Sequence, residues 1–217
     1  MIRILNIAVT LMLNLCVCCS LALATSQEDE IELNSTWQKV KEENGVIVYS
    51  HEIEGRDIVK AKVEVLIDVG MEKIKSILDD VSCRRDWVPY LVESRVLKKY
   101  SEDEKLEYSL FGAPWPASDR DFVYYRQLLH KDATKIVFTM TFKESELMPQ
   151  QDGVVRADLI ESQYTLTALS SKQTKVELIF YADPKGWLAD WIVNIIQEAL
   201  PFMMLRNLKV TAEGMEK

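Results

Sequence analysis

Apolar and polar residues alternate with a period of two along most of this chain. "GVIVYSHEI" (45–53) and "DIVKAKVEVLIDV" (57–69) put every second side chain on one apolar face, the pattern of a strand with one wet side. The same reading applies to "ESRVLKKYS", "KLEYSLFG", "RDFVYYRQLLH", "KIVFTMTFK", "GVVRADLIESQYTLTAL" and "KVELIFYAD", which follow one another from 93 to 183. Short polar connections such as "SEDE", "HKDAT" and "SSKQT" join them, so an antiparallel meander is expected. Four stretches depart from the alternation and read as helical. "MEKIKSILDDV" gathers Met71, Ile74, Ile77, Leu78 and Val81 on one face, and "SCRRDWVPYL" predicts a helical turn ended by Pro89. "KGWLADWIVNIIQEALPFMMLRNLKVTAEG" predicts a long helix over 185–214, with Trp187, Leu188, Trp191, Ile192, Ile195, Ile196 and Leu200 on a broad apolar face and a kink at Pro201. "LNSTWQKVKEEN" (33–44) predicts a first helix, capped by Ser35 or Thr36 and stopped by Asn44-Gly45. The class is α+β: a curved antiparallel sheet wrapped around one apolar C-terminal helix.

The N-terminus has another origin. Arg3 is followed by the apolar run "ILNIAVTLMLNLCVCCSLALA", closing on Ala22-Leu23-Ala24, the small-x-small pattern of a cleaved secretory signal peptide. The run is long enough to approach a membrane span, so an uncleaved anchor is the rival; the acidic stretch "TSQEDEIE" after it favours cleavage. Two segments follow: a signal peptide over 1–24 and one domain over 25–217, exported to the periplasm or the extracellular space after cleavage near Ala24. Three of the four cysteines (Cys16, Cys18, Cys19) leave with the signal, so Cys83 alone remains and no internal disulfide is expected. The formal net charge of −8 becomes −9 once Arg3 is gone. That balance argues against nucleic acid as a partner and against lasting adhesion to anionic headgroups. A monomer is expected.

Candidate chemistry gathers around "PWPASDRDFVYY" (114–125). Pro114 and Pro116 cannot donate to a ladder, so they form a stiff corner outside the central strands, with Asp119 and Asp121 placed to cap backbone amides. Beyond the corner Phe122, Tyr124 and Arg126 share one face, and before it Glu107, Ser109 and Phe111 share another. Antiparallel pairing across the corner would bring Glu107 near Arg126 on the inward face, either as a polar end for a ligand or as an ordinary structural ion pair.

Four stretches in order, "DWVPYLVESRVL", "PWPASDRDFVYYR", "LMPQQDGVVRADL" and "YADPKGWLADWIVN", resemble the StAR-related lipid-transfer (START) domain family, in its bacterial exported single-domain form. The resemblance covers the chain from about Trp37 to the end. It implies a helix-grip fold with an internal hydrophobic tunnel between sheet and last helix. It also implies binding of a single lipid such as a sterol or a phospholipid, with transfer between membranes left open. No cofactor and no metal are implied, and membrane contact is transient. Residues carried over as tunnel contacts are Glu107, Arg126, Tyr124, Phe122, Phe111, Arg156, Trp187, Trp191 and Ile195. Met148 and Pro149, in "SELMPQQDG", fall where the family has a lid and are expected at an exposed tip.

The residues themselves offer little for catalysis. His51 and His130 stand apart in the sequence, and no His/Cys/Asp spacing suits a metal. Cys83 is followed by Arg84 and Arg85, which would lower a thiol's pKa, but no base accompanies it. Seven glycines leave little room for a phosphate-cradling loop. The chain is therefore expected not to be an enzyme. Two alternatives stay open: a helix-grip enzyme of the polyketide cyclase or hydrolase type, and a protein-interaction module with a filled core.

Overall fold

The computed structural model of the protein describes residues 37–56, 58–188, 192–193 and 195–215. The expected signal peptide and Trp191 lie outside them. The chain divides into Met1–Gln38 and a compact unit, Lys39–Lys217.

That unit is built on one sheet. Its strands are β1 (Gln38–Glu43), β2 (Val46–Glu52), β3 (Val59–Ile67), β4 (Leu91–Lys99), β5 (Glu104–Phe111), β6 (Arg120–Lys131), β7 (Lys135–Phe142), β8 (Val155–Arg156), β9 (Asp158–Ser170) and β10 (Gln173–Asp183). They run in the order β1-β2-β3-β10-β9-β7-β6-β5-β4, with the short β8 beside β6 and parallel to it. From β4 to β10 this is the expected meander, and β3 closes its far side by pairing with β10. Between β3 and β4 the chain forms α1 (Met71–Asp79) and the single turn α2 (Arg84–Trp87).

The first helix of the sequence reading is instead β1. Its six residues, QKVKEE, are all exposed, so there was no apolar face for a helix to bury. Asn44 (φ 53°) and Gly45 (φ 76°) both take left-handed backbone, the requirement of a two-residue hairpin turn that matches strand twist. The pair that looked like a helix stop is a hairpin, and its charged first strand suits an open sheet edge.

The last helix also differs from expectation. Residues 184–188 are irregular, a π-helical turn occupies Ile195–Ala199, and α3 runs over Leu200–Gly214 with Pro201 in its first turn. Pro201 offers no N–H to the carbonyl four residues back, and its ring crowds that carbonyl. The ladder therefore widens ahead of it, where a simple kink had been expected.

α3 lies against β3 and β2 and buries Phe202, Leu205 and Leu208 among Val63, Val65, Val176 and Leu178 of the sheet. At about 1.5–3 kcal/mol for each large apolar side chain removed from water, this contact is the main reason the sheet curls around the helix. Gly70, just before α1, fits because a Cβ there would stand 2.8 Å from the Ser171 carbonyl oxygen.

A candidate ligand cavity

Between the inward face of β5, β6, β7, β9 and β10 and the segment made of the π-helical turn and the start of α3, the core is hollow. The cavity measures about 530 Å³. One wall is the inward face of the sheet, including Phe111, Phe122, Phe138 and Phe180; the opposite wall is Ile192, Ile195, Ile196, Leu200 and Met204. Phe111 and Phe122 meet edge-to-face at 5.6 Å, as neighbouring strands allow. Strand parity selects these residues. Phe122, Tyr124 and Arg126 point in, while Val123 points out into a second cluster with Leu106 and Tyr108.

The polar groups collect at one end. Glu107 is fully buried (0 % exposed) and accepts a hydrogen bond from Arg84 Nη1 at 2.7 Å. The same nitrogen donates to Tyr124 Oη at 2.9 Å, and Tyr124 Oη donates to Glu107 Oε2 at 3.2 Å. Ser109 Oγ lies 3.0 Å from Tyr124 Oη, and Arg84 Nη2 reaches the Leu78 carbonyl at 3.2 Å. Burial works against the Arg84 cation, but the oxygens of Tyr124 and Glu107 outweigh it and hold the guanidinium charged above its ordinary range. Burial pushes the Tyr124 phenol up to about 12.

Glu107 and Arg126 are thus both at this end but are not partners. The register sets Glu107 opposite Tyr124 and Arg126 opposite Lys105. Arg126 turns to Asp79 at the end of α1, and its guanidinium lies 4.2 Å above the Phe138 ring. Burial opposes the Asp79 carboxylate, yet Arg126 and Lys75 together keep its carboxyl below the ordinary range. Each strand residue found its counter-charge on a helix, which reasoning about strand pairing alone leaves out. Arg84 is the functional residue missed. A signal was present: Arg84 and Trp87 fall at i and i+3, so they share a face of α2, and both line the cavity together with Val88 just after the turn.

Several other expectations are redirected. Arg156 does not reach the cavity; it holds Asp121 with two bonds of 2.7 and 2.9 Å on the other side of the sheet. It also donates to the Met148 carbonyl at 3.1 Å, and this ties the 143–153 loop down. Met148 is consequently no exposed lid tip. It is 6 % exposed and packed on Leu106, Tyr108 and Val123, while Pro149 is exposed beside it. Trp187 is 69 % exposed and contributes its carbonyl, not its ring, to the site. Phe111, Phe122, Tyr124, Arg126 and Ile195 do line the cavity, whereas Glu107, expected as a direct contact, does not: fully buried, it is bonded to Arg84 and Tyr124, and those two form the lining. The Cys83 thiol is pushed up by burial and by Asp80, which leaves it without the activation that Arg84 and Arg85 suggested. Among the described residues, no group of three or more His, Cys, Asp and Glu is placed to hold a metal.

The corner at 112–119 forms part of the mouth. Gly112, Ala113 and Pro114 line it, Asp119 Oδ1 accepts from the Ala113 amide at 2.9 Å as its capping role required, and Trp115 is 90 % exposed. Arg120 clasps this corner to the segment before the last helix. It bonds the Ser118 carbonyl and donates to those of Lys185 at 3.4 Å and Trp187 at 3.1 Å. Gly186 (φ 67°) provides the left-handed turn that presents these carbonyls.

The sequence model of the START domain matches residues 20–212. START domain-containing protein 10 of mouse is 26% identical over 171 residues, covering 78% of this chain but only 58% of that protein. The rat mitochondrial steroidogenic acute regulatory protein is 32% identical over 184 residues, 82% of this chain and 64% of that one. This chain therefore spans less than two thirds of the length of either relative. The crystal structure of human STARD10 superposes with a TM-score of 0.76 at 23% identity, over 87% of this chain and 77% of that one, and so shares the fold.

Proposed function

The chain belongs to the START domain family, and on that premise we propose that it binds one lipid in the cavity between sheet and last helix and carries it between membranes. The observation that carries this reading is the cavity of about 530 Å³, walled by aromatic and aliphatic side chains, with its hydrogen-bonding groups at one end. An amphiphile needs such a container. At about 0.8 kcal/mol per methylene, taking a chain of roughly fifteen methylenes through bare water costs on the order of 12 kcal/mol, and an enclosed apolar wall offsets most of it. The relatives support the direction: proteins similar to this chain include phosphatidylcholine transfer proteins. Binding and release, with no covalent step, account for the site, so the function is non-enzymatic.

Entry and exit run through the mouth. Trp115 and Trp187 expose most of their surface there, and Tyr90 beside them is exposed as well. Amphipathic rings of this kind settle at the boundary between headgroups and acyl chains, which makes the rim a transient membrane contact. Release of the Arg120 clasp would let the 184–188 segment swing from the corner. Export by the N-terminal signal completes the reading, since a shuttle outside the cytoplasm meets membranes and little else to dissolve an apolar cargo.

The test is native mass spectrometry of the purified protein after incubation with a membrane lipid extract. One bound lipid per chain is expected, and no adduct from any extract overturns the proposal. Exchange of labelled lipid between donor and acceptor vesicles then separates a carrier from a static binder.

A further inference from the structure

Among the described residues three arginines line the cavity, and two of them hold a carboxylate: Arg84 is bonded to Glu107, and Arg126 to Asp79. Arg120 is buried as deeply, at 5 % exposed, yet all its bonds run to backbone carbonyls. These are the carbonyls of Ser118, Pro184 (3.5 Å), Lys185 (3.4 Å) and Trp187 (3.1 Å), two of them at the long limit of a hydrogen bond. Carbonyl dipoles solvate a cation but leave its charge uncancelled. The carboxylates around it serve other groups. Asp119 accepts from the Ala113 amide, Asp121 holds Arg156, Asp158 holds the Lys185 ammonium, and Asp183 accepts from the Lys185 amide. Burial accordingly pulls the Arg120 guanidinium below its ordinary range, and the neighbouring Asp119 offsets that only in part.

The place of this cation says which anion it meets. Arg120 opens β6 on the same inward face as Phe122, Tyr124 and Arg126, and six residues, about 20 Å of strand, separate it from Arg126. It therefore sits at the mouth, far from the inner pairs. Trp115 and Trp187 are largely exposed there, and such rings settle at headgroup depth, which brings the lipid phosphates level with the opening. A guanidinium fork matches two phosphate oxygens and gains a full counter-charge, where the carbonyls offer only dipoles. A phosphate that takes these N–H groups displaces the 184–187 carbonyls. Their turn holds Lys185 (φ 47°) in left-handed backbone beside Gly186, a conformation unfavourable for lysine, so it relaxes once released. The chain's formal net charge of −8 gives no long-range pull toward anionic surfaces, so recognition falls to the phosphate itself.

From these observations, and resting on the lipid-binding reading above, we propose that Arg120 forms a phosphate subsite at the cavity mouth, where a phosphodiester headgroup takes the guanidinium from the 184–187 carbonyls and thereby opens the way in.

Hydrogen exchange of the peptide covering 184–188, read by mass spectrometry on the purified protein, reports this release whatever the cargo. Three conditions are compared: vesicles of dioleoyl phosphatidylcholine, vesicles of dioleoyl digalactosylglycerol, and inorganic phosphate without lipid. The two lipids share their acyl chains and zero net charge, and the galactolipid lacks phosphate. Exchange should be roughly fivefold or more faster on phosphatidylcholine than on the galactolipid. In Arg120→Gln it should be fast in buffer alone, with the ratio between the two lipids near one. The comparison on the unmodified protein decides by itself if that variant misfolds. No acceleration by inorganic phosphate supports the headgroup as the source; acceleration by it supports the same subsite with the free anion as its ligand. Equal exchange on both lipids with no response to inorganic phosphate overturns the inference, as does an unchanged lipid ratio in folded Arg120→Gln. A lipid adduct from membrane extract then leaves the lipid-binding reading standing, and the lack of any adduct removes both.

Discussion

Replacing Arg84 with methionine tests the least expected part of the site. Methionine keeps much of the stem's bulk while deleting the guanidinium. Glu107, fully buried, loses the donor at 2.7 Å; Tyr124 loses the one at 2.9 Å; and the Leu78 carbonyl loses its own at 3.2 Å. Removing one member of a buried ion pair costs about 3–5 kcal/mol, because the surviving charge stays desolvated. For a domain of this size each kcal/mol lowers Tm by about 2–4 °C, so the drop should be roughly 6–20 °C. Urea unfolding at pH 7, followed by circular dichroism, measures it directly. The decisive comparison is the double variant Arg84→Met/Glu107→Leu, which removes both charges. If desolvated charge is the cause, the double variant recovers most of the loss despite carrying more substitutions. A single variant within about 1 kcal/mol of the unmodified protein, or a double variant whose loss equals the sum of the two singles, would refute the reasoning.

Three further outcomes follow from the same geometry. Met148→Ala should cost about 2–3 kcal/mol in urea unfolding, since the side chain is buried against Leu106, Tyr108 and Val123, yet leave ligand affinity unchanged; a selective loss of binding would restore the loop's role as a lid. Trp115→Ala combined with Trp187→Ala should leave Tm within about 1 °C, because both rings are largely exposed, while reducing cosedimentation with lipid vesicles several-fold. Asp79→Asn should be destabilising at neutral pH and progressively less so in acid. The folded Asp79 carboxyl lies below its ordinary range, so its contribution is complete above the unfolded value near 3.9 and fades as pH falls through the folded value. A stability difference that stays constant from pH 7 to pH 2.5 would show that the Asp79–Arg126 pair adds nothing.

Most of the architecture was legible in the chain because it rests on local periodicity. Alternation over 93–183 dictated strands, the short polar connections dictated hairpins, and the spacing of Met71, Ile74, Ile77 and Leu78 dictated α1. Where local signals conflicted, the reading failed. Asn44-Gly45 suits a helix end as well as a hairpin, and only the pairing of β1 with β2 decides between them. Parity along β5 and β6 correctly placed Phe111, Phe122, Tyr124 and Arg126 on the cavity face. It could not say which of two inward charges finds which partner. Asp79 and Arg84 come from the two short helices between β3 and β4, and their reach depends on tertiary packing. Parity was equally silent on Arg156 and Met148, which the fold uses to fasten a loop to the sheet's other side.

Local pattern was enough to specify a twisted antiparallel sheet closing on an apolar helix, because hydrophobic burial acts through a residue's position along one element. That the space between them stays open, and that the charges beside it cancel in two separate pairs, emerge only once the elements are packed together. Both depend on distances of a few ångströms between side chains remote in sequence, where Coulomb and desolvation energies are steepest.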